Sequence, residues 1–103
     1  MTHKVRIANK AQRDLEQIGE RIALDSPAHA RRMVKDLLKS CHSLNRFPER
    51  FAKVRRFSEL RRIVLGSYLV FYDVSPNHVD VIHILHGAMD YERILFAEDD
   101  GED

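Results

Sequence analysis

The sequence contains a single cysteine, Cys41, and no apolar run long enough to act as a signal peptide or to cross a membrane. One cysteine cannot form an internal disulfide, so we expect a core-stabilised protein in a reducing, cytoplasmic setting. Because Cys41 lies among apolar residues of a helical pattern, we interpret it as a buried structural thiol. A chain of 103 residues can bury roughly two thirds of its unfolded surface, so it needs no metal to fold.

The motifs of several enzyme classes are also missing. The sequence has no glycine-rich phosphate loop, HExxH, paired CxxC or GxSxG, so we expect neither nucleotide hydrolysis nor zinc proteolysis. His83 and His86 are three residues apart and should point to opposite faces of a strand. His78 and His86 should share a face but lie about 26 Å apart. We therefore predict neither a bound metal nor a cofactor.

The net charge of +1 hides a strong separation of charge along the chain. A basic run in the middle is opposed only by Glu49 and Glu59. It indicates an anionic partner, either nucleic acid or an acidic protein segment, or else it is the solvated surface of a loop and an edge strand. The acidic residues 98–103 are interpreted as a disordered tail. The basic run contains Arg46, Arg50, Lys53, Arg55, Arg56, Arg61 and Arg62.

Two amphipathic helices are predicted in the N-terminal half. Apolar residues recur at spacings of three and four over residues 10–24, where Asn9 and Gln12 resemble a capping box. The second helix should start at Pro27 behind a capping Ser26 and should be ended by Phe47 and Pro48, because the residue before a proline is disfavoured in helical geometry. The short connection between the helices predicts an antiparallel hairpin.

Strands are predicted over residues 5–7, 60–65, 68–74 and 79–86, with residues 90–96 left for a short helix or extension. The third strand is nearly continuous in apolar, β-branched and aromatic residues, so it should be central. We therefore predict an α+β domain over residues 1–97. The predicted order is an N-terminal strand, an antiparallel helical hairpin packed on one face of a small, mainly antiparallel sheet, and a short C-terminal helix or extension. The other face would be left for solvent or a partner.

Ribonuclease chemistry is the enzymatic reaction that these residues could support. It requires a base, an acid and cations that stabilise developing charge on phosphate. The alternative is that the arginines are the polar side of a strand and that His83 is a half-buried packing residue. The candidates for catalysis are Arg61, Arg62, His83, His86 and Tyr91.

The phrases LRRIVLGSYLVFYDV and VDVIHILHGAMDYERIL, with the upstream segments DLEQI, DSP and FPER in the same order, resemble the RelE/ParE superfamily of toxins. The resemblance is closest to the ParE branch and covers nearly the whole chain except the acidic tail. It implies a toxin of a type II toxin–antitoxin system that forms a hetero-oligomer with a ParD-like antitoxin. ParE-like toxins stabilise the cleaved-DNA state of DNA gyrase, whereas RelE-like toxins cut messenger RNA on the ribosome.

The resemblance also bears on the choice between these activities. In the RelE pattern an arginine on the last strands acts with a tyrosine or histidine after them. Here the last predicted strand has no arginine or lysine, and Met89 occupies a position that is often arginine. Tyr91 is retained, but without a cationic partner on that strand. We therefore predict a gyrase poison without catalysis of its own, with no membrane association and no sequence-specific nucleic-acid binding.

We predict one surface that binds the antitoxin and another that binds the target. The first helix could bind the antitoxin through its outer stripe, although Leu15, Ile18 and Ile22 are better explained by the internal core. The alternatives to a gyrase poison are a RelE-type messenger RNA endonuclease and a non-toxic interaction module. The predicted antitoxin-binding residues are Lys53, Arg55, Arg56, Arg61 and Arg62. The predicted target-binding residues are His86, Met89, Asp90, Tyr91 and Arg93.

Overall fold

The computed structural model describes the backbone of residues 2–100 and the side chains of residues 2–96. Four strands form one sheet in the order β1-β4-β3-β2, in which β1 is parallel to β4 and the other pairs are antiparallel. This arrangement confirms the predicted α+β fold. The elements are β1 (Lys4–Ile7), α1 (Asn9–Ala23), α2 (Pro27–His42), β2 (Arg61–Leu65), β3 (Tyr68–Val74), β4 (His78–His86) and α3 (Tyr91–Asp100).

The acidic C-terminal segment is only partly described. Helix α3 is kinked at Phe96, where φ is −122° and ψ is 18°, and helical backbone continues to Asp100, so the predicted tail at 98–103 begins in the helical segment after the kink. Residues 101–103 lie outside the described part of the chain, and the disorder of the tail stays a prediction. Within residues 2–100, no helix combines the length and the apolar character needed to span a membrane.

The structure confirms one of the two predicted helix caps and contradicts the other. The Ser26 hydroxyl accepts a hydrogen bond from the His29 backbone N–H at 3.2 Å, which confirms the predicted cap of α2. The predicted capping box of α1 is wrong, because the N-cap is Ala8 and Asn9 already lies in the helix. Gln12 instead donates its amide N–H to the Ile7 carbonyl at 2.9 Å, which joins the helix to the end of β1.

The end of α2 also differs from the prediction. The helix ends at His42 and is followed by a 3-10 turn over Ser43–Asn45. Phe47 then adopts a left-handed conformation with φ of 48°. This conformation turns the chain sharply ahead of Pro48, so that the loop returns toward the sheet edge.

The two long helices form a tightly packed hairpin. A Cβ atom built on Gly19 of α1 would lie 3.2 Å from Cγ2 of Val34 on α2. Glycine therefore lets the helices approach more closely here than a larger residue would allow.

The first core lies between this hairpin and the sheet. Helix residues such as Leu15 and Leu37 pack with Val70 and Ile84 of the central strands. Cys41 lies in this core with no exposed surface, and burial raises the pKa of its thiol to about 11. The prediction of a buried structural thiol is thereby confirmed.

A second core on the opposite face corrects the expectation that this face is open. Leu69 and Phe71 of β3 point away from the hairpin and pack with Leu60, Leu85 and Phe96. Helix α3 and the loop before β2 provide this cover. The physical reason lies in β3, which is apolar on both of its faces and must be buried on both.

Candidate functional site

The structure brings two of the candidate residues together on the second face of the sheet. Arg62 of β2 lies beside Phe71 of β3, and its Nη1 donates a hydrogen bond to the Tyr91 hydroxyl at 3.0 Å. The Tyr91 ring packs on Phe71 with a centroid separation of 5.3 Å. The cationic partner that β4 does not offer to Tyr91 is therefore supplied by β2.

Arg61 lies on the other face of the sheet, because successive side chains of a strand alternate. Its Nη1 donates to the backbone carbonyls of Glu49 at 3.1 Å and Phe51 at 2.6 Å. Only 18% of its side chain is exposed. Arg61 therefore anchors the loop that follows α2 and does not form a site with Arg62.

His86 is also separated from Tyr91. It lies opposite Tyr68 on the first face of the sheet, and the two rings meet edge to face at 5.3 Å. Its Nδ1 accepts a hydrogen bond from the backbone N–H of Ala88 at 3.0 Å, which places the proton of the neutral ring on Nε2. The predicted target-binding residues therefore fall into two groups.

The second group surrounds the start of α3. Asp90 accepts a hydrogen bond from the Arg93 backbone N–H at 3.4 Å, as an N-cap residue does. Met89 is 45% exposed, and Arg93 is also exposed. Together with Tyr91, these residues form a surface at the junction of β4 and α3.

The basic loop before β2 packs against α3. The guanidinium of Arg55 lies 3.7 Å from the centroid of the Phe96 ring and 3.6 Å from a carboxylate oxygen of Glu92. Lys53 pairs with Glu59 at 3.2 Å. A cleft of about 560 Å³ between the loop and α3 is lined by Val54, Arg55, Arg56, Phe57, Ser58, Glu92 and Phe96.

A polar cluster that the sequence analysis missed joins α1 to β4. Asp14 accepts hydrogen bonds from the Ile84 backbone N–H at 2.9 Å and from His83 Nδ1 at 2.8 Å. β1 pairs only with the first half of β4. Beyond the end of β1, the Asp14 carboxylate accepts a hydrogen bond from the backbone of β4 in place of a strand. The sequence feature that could have revealed this cluster is the position of Asp14 between Ala11 and Ile18 on the apolar stripe of α1. A carboxylate placed there needs buried partners.

His83 is half-buried, with 17% of its side chain exposed, and lines a second cleft of about 470 Å³. Two carboxylates and a cation share this cleft, from Asp73, Glu59 and Lys10. No group of three His, Cys, Asp or Glu residues in the described part of the chain is placed to hold a metal ion.

Three solved structures have a similar fold. A chain of the chromosomal ParDE system from P. aeruginosa has a TM-score of 0.72 and 17% identity, covering 82% of this chain and 96% of that chain. A chain of the RelBE2 toxin–antitoxin complex from Mycobacterium tuberculosis has a TM-score of 0.64 and 21% identity, covering 84% and 99%. A chain of the RelB–RelE complex from Methanococcus jannaschii has a TM-score of 0.56 and 21% identity, covering 85% and 96%. The fold is thus that of the ParE and RelE toxins.

The sequence narrows this class further. The family of ParE toxins of type II toxin–antitoxin systems, parDE, matches residues 5–91. The chain therefore belongs to the ParE toxin family, within the ParE/RelE superfamily. The sequence has no match among the curated proteins.

Proposed function

We propose that this toxin poisons DNA gyrase by stabilising its cleaved-DNA complex, without catalysis of its own. The observation that carries the proposal is the match to the ParE family over residues 5–91. The composition of β4 agrees with it, because this strand contains neither arginine nor lysine to hold a phosphate. For the gyrase contact we propose the exposed surface of Met89, Asp90, Tyr91 and Arg93, with His86 belonging to a different surface.

The Arg62–Tyr91 hydrogen bond favours a second candidate function, RelE-type cleavage of messenger RNA. Arg62 could stabilise charge on a phosphate, and the Tyr91 hydroxyl could protonate a leaving oxygen. The reaction also needs a base. Within the described residues, neither Arg62 nor Tyr91 is hydrogen-bonded to a histidine or a carboxylate. This incomplete constellation is the reason that we rank the nuclease second.

One pair of assays separates the candidates. The full chain is added to purified gyrase with supercoiled DNA, and message integrity is followed after expression without antitoxin. A gyrase poison accumulates covalent gyrase–DNA breaks and leaves messages intact. Codon-specific message cleavage without gyrase-linked breaks would contradict the proposal, and unchanged growth would indicate a non-toxic interaction module.

Tyr91→Phe sharpens the test, with Tyr68→Phe on the opposite face as the matched control. If Tyr91 is only a contact residue, both variants keep gyrase poisoning within about tenfold, because a single hydrogen bond has a net value of about 0.5–1.5 kcal/mol. If Tyr91 is a general acid, Tyr91→Phe alone lowers message cleavage by about a hundredfold or more.

We further propose that a ParD-like antitoxin binds the basic loop through an acidic segment. Lys53, Arg55 and Arg56 lie on this loop, where Arg55 and Arg56 line the cleft, and Arg62 is the second residue of the adjoining edge strand. Arg61 would act indirectly, by holding the loop in place. Arg55→Glu with Arg56→Glu should weaken antitoxin binding by at least about tenfold. An equal loss in the control pair Lys35→Glu with Lys39→Glu on α2 would refute a specific contact.

A further inference from the structure

A group of exposed cations covers the face of α2 that points away from the core. The buried side of this helix is formed by Ala30, Leu37 and Cys41. At about 100° per residue, the cations fall within an arc of about 100° whose centre lies about 150° from the middle of that side. We define the cationic face of α2 as the exposed residues Arg31, Arg32, Lys35, Lys39 and His42.

This face differs from the basic loop in the ion pairing of its charged side chains. In the loop, Lys53 is paired with Glu59, and Arg55 lies beside Glu92. On the cationic face of α2, no side chain forms an ion pair with any residue in the described part of the chain. Asp36, the one acidic residue of α2, lies beyond the edge of the arc. The cationic face of α2 therefore carries four lysine and arginine side chains without an ion-pair partner among the described residues.

We propose that the cationic face of α2 binds the phosphate backbone of duplex DNA without sequence preference. Arg31, Lys35 and Lys39 follow one another at intervals of about 6 Å along the helix axis, which presents a straight row of charges to a straight polyanion. The proposal goes beyond gyrase poisoning, because it concerns a separate surface and holds whichever target the toxin has.

The chemistry of the face selects this ligand over the alternatives. Binding of single-stranded nucleic acid uses exposed aromatic rings on which bases stack, and this face has no phenylalanine, tyrosine or tryptophan and offers one ring, that of His42. A peptide helix would need apolar anchor pockets, and the face presents only charged groups and Ala28. Lysine and arginine are main contributors of contacts to phosphate oxygens, and such contacts carry no sequence information directly.

Binding of the full chain to a fluorescently labelled DNA duplex of mixed sequence tests the proposal. If the face contacts three or four phosphates, a rise in salt from about 50 to about 200 mM should weaken binding by about 40- to 150-fold. Lys35→Glu with Lys39→Glu should lower affinity at low salt by at least about tenfold and reduce the salt slope by about 2. Circular dichroism checks that the variant keeps its fold.

The matched control is Arg13→Glu with Arg21→Glu, which makes the same change in net charge on the exposed side of α1. We expect it to change affinity by less than about threefold. Equal losses in both pairs would show that only net charge matters, and would overturn the proposal. Absence of duplex binding at low salt, or preferential binding of single-stranded RNA or polyglutamate through Lys35 and Lys39, would overturn it as well.

Discussion

Single polar side chains hold the sheet to the segments around it. The Tyr72 hydroxyl, in the first core, donates to the Pro48 carbonyl at 2.6 Å, and Arg61 binds two further carbonyls of the same loop. At the opposite edge, Asp14 continues the hydrogen bonding of β4 where β1 ends. These hydrogen bonds are important for folding stability, because a buried donor or acceptor without a partner costs about 1–3 kcal/mol.

Asp73 is a residue whose charge opposes folding. Burial raises the pKa of its carboxyl above the ordinary value of 3.8, and the negative charges of Asp80 and Glu59 add to the shift. The folded state therefore binds this proton more tightly than the unfolded state does. Between the two pKa values, stability falls as pH rises, and the full penalty remains above the folded pKa.

We expect Asp73→Asn to raise the thermal midpoint at pH 7, because it removes the charge that this site disfavours. The advantage should shrink as pH falls and vanish below about pH 3.8, where the wild-type carboxyl is protonated in both states. Thermal melts at a series of pH values measure it. Asp25→Asn, at an exposed position, serves as the control, and an advantage that does not depend on pH would contradict the argument.

At the scale of elements, β4 contains an irregularity that changes which side chains share a face. Val81 pairs with Tyr72 and His83 with Phe71, so Ile82 is an extra residue in the strand. Such a bulge shifts the alternation of side chains by one position. His78 and His86 therefore lie on opposite faces, contrary to the expectation for a regular strand.

The hairpin of α1 and α2 depends on the small size of Gly19. Gly19→Leu should lower the free energy of unfolding by about 1–3 kcal/mol, because the added side chain would meet Val34 and force the helices apart. Chemical denaturation measures the change. Gln17→Leu adds a similar side chain at an exposed position of α1 and should cost little, so similar losses in both variants would show that crowding against α2 is not the cause.

At the scale of the whole molecule, two cores lie on opposite faces of one sheet and share β3. Val70 and Tyr72 belong to the first core, while Leu69 and Phe71 belong to the second. Because the same strand supports both cores, we expect them to unfold together in one cooperative transition. The surface that carries Arg62 and Tyr91 is therefore coupled to the stability of α3.

Phe96→Ala tests the contribution of the second core. Phe96 is 7% exposed and packs beneath Arg55, so its loss should cost about 3 kcal/mol. Denaturation followed by helical and by aromatic signals should still give coincident curves. Ile94→Ala, which truncates a side chain that is 41% exposed, should have a much smaller effect. A cost below about 1 kcal/mol for Phe96→Ala would show that α3 is not part of the core.

The sequence by itself determined the order of the elements and the central place of β3. The patterns behind these predictions depend on residues close together in the chain, so they can be recognised without knowing the fold. They are the periodic apolar residues, the pair Ser26 and Pro27, and the apolar run of Tyr68–Val74. The family resemblance rests on the same local phrases, and it was confirmed by the match over residues 5–91.

Only the tertiary structure decided which polar side chains meet. Arg62 and Tyr91 are distant in sequence, and neighbouring Arg61 points to the opposite face. The bulge at Ile82, the Asp14–His83 pair and the cover of the second face by α3 likewise depend on packing between distant segments. Such contacts arise from the register and alternation of paired strands, which local sequence patterns do not encode.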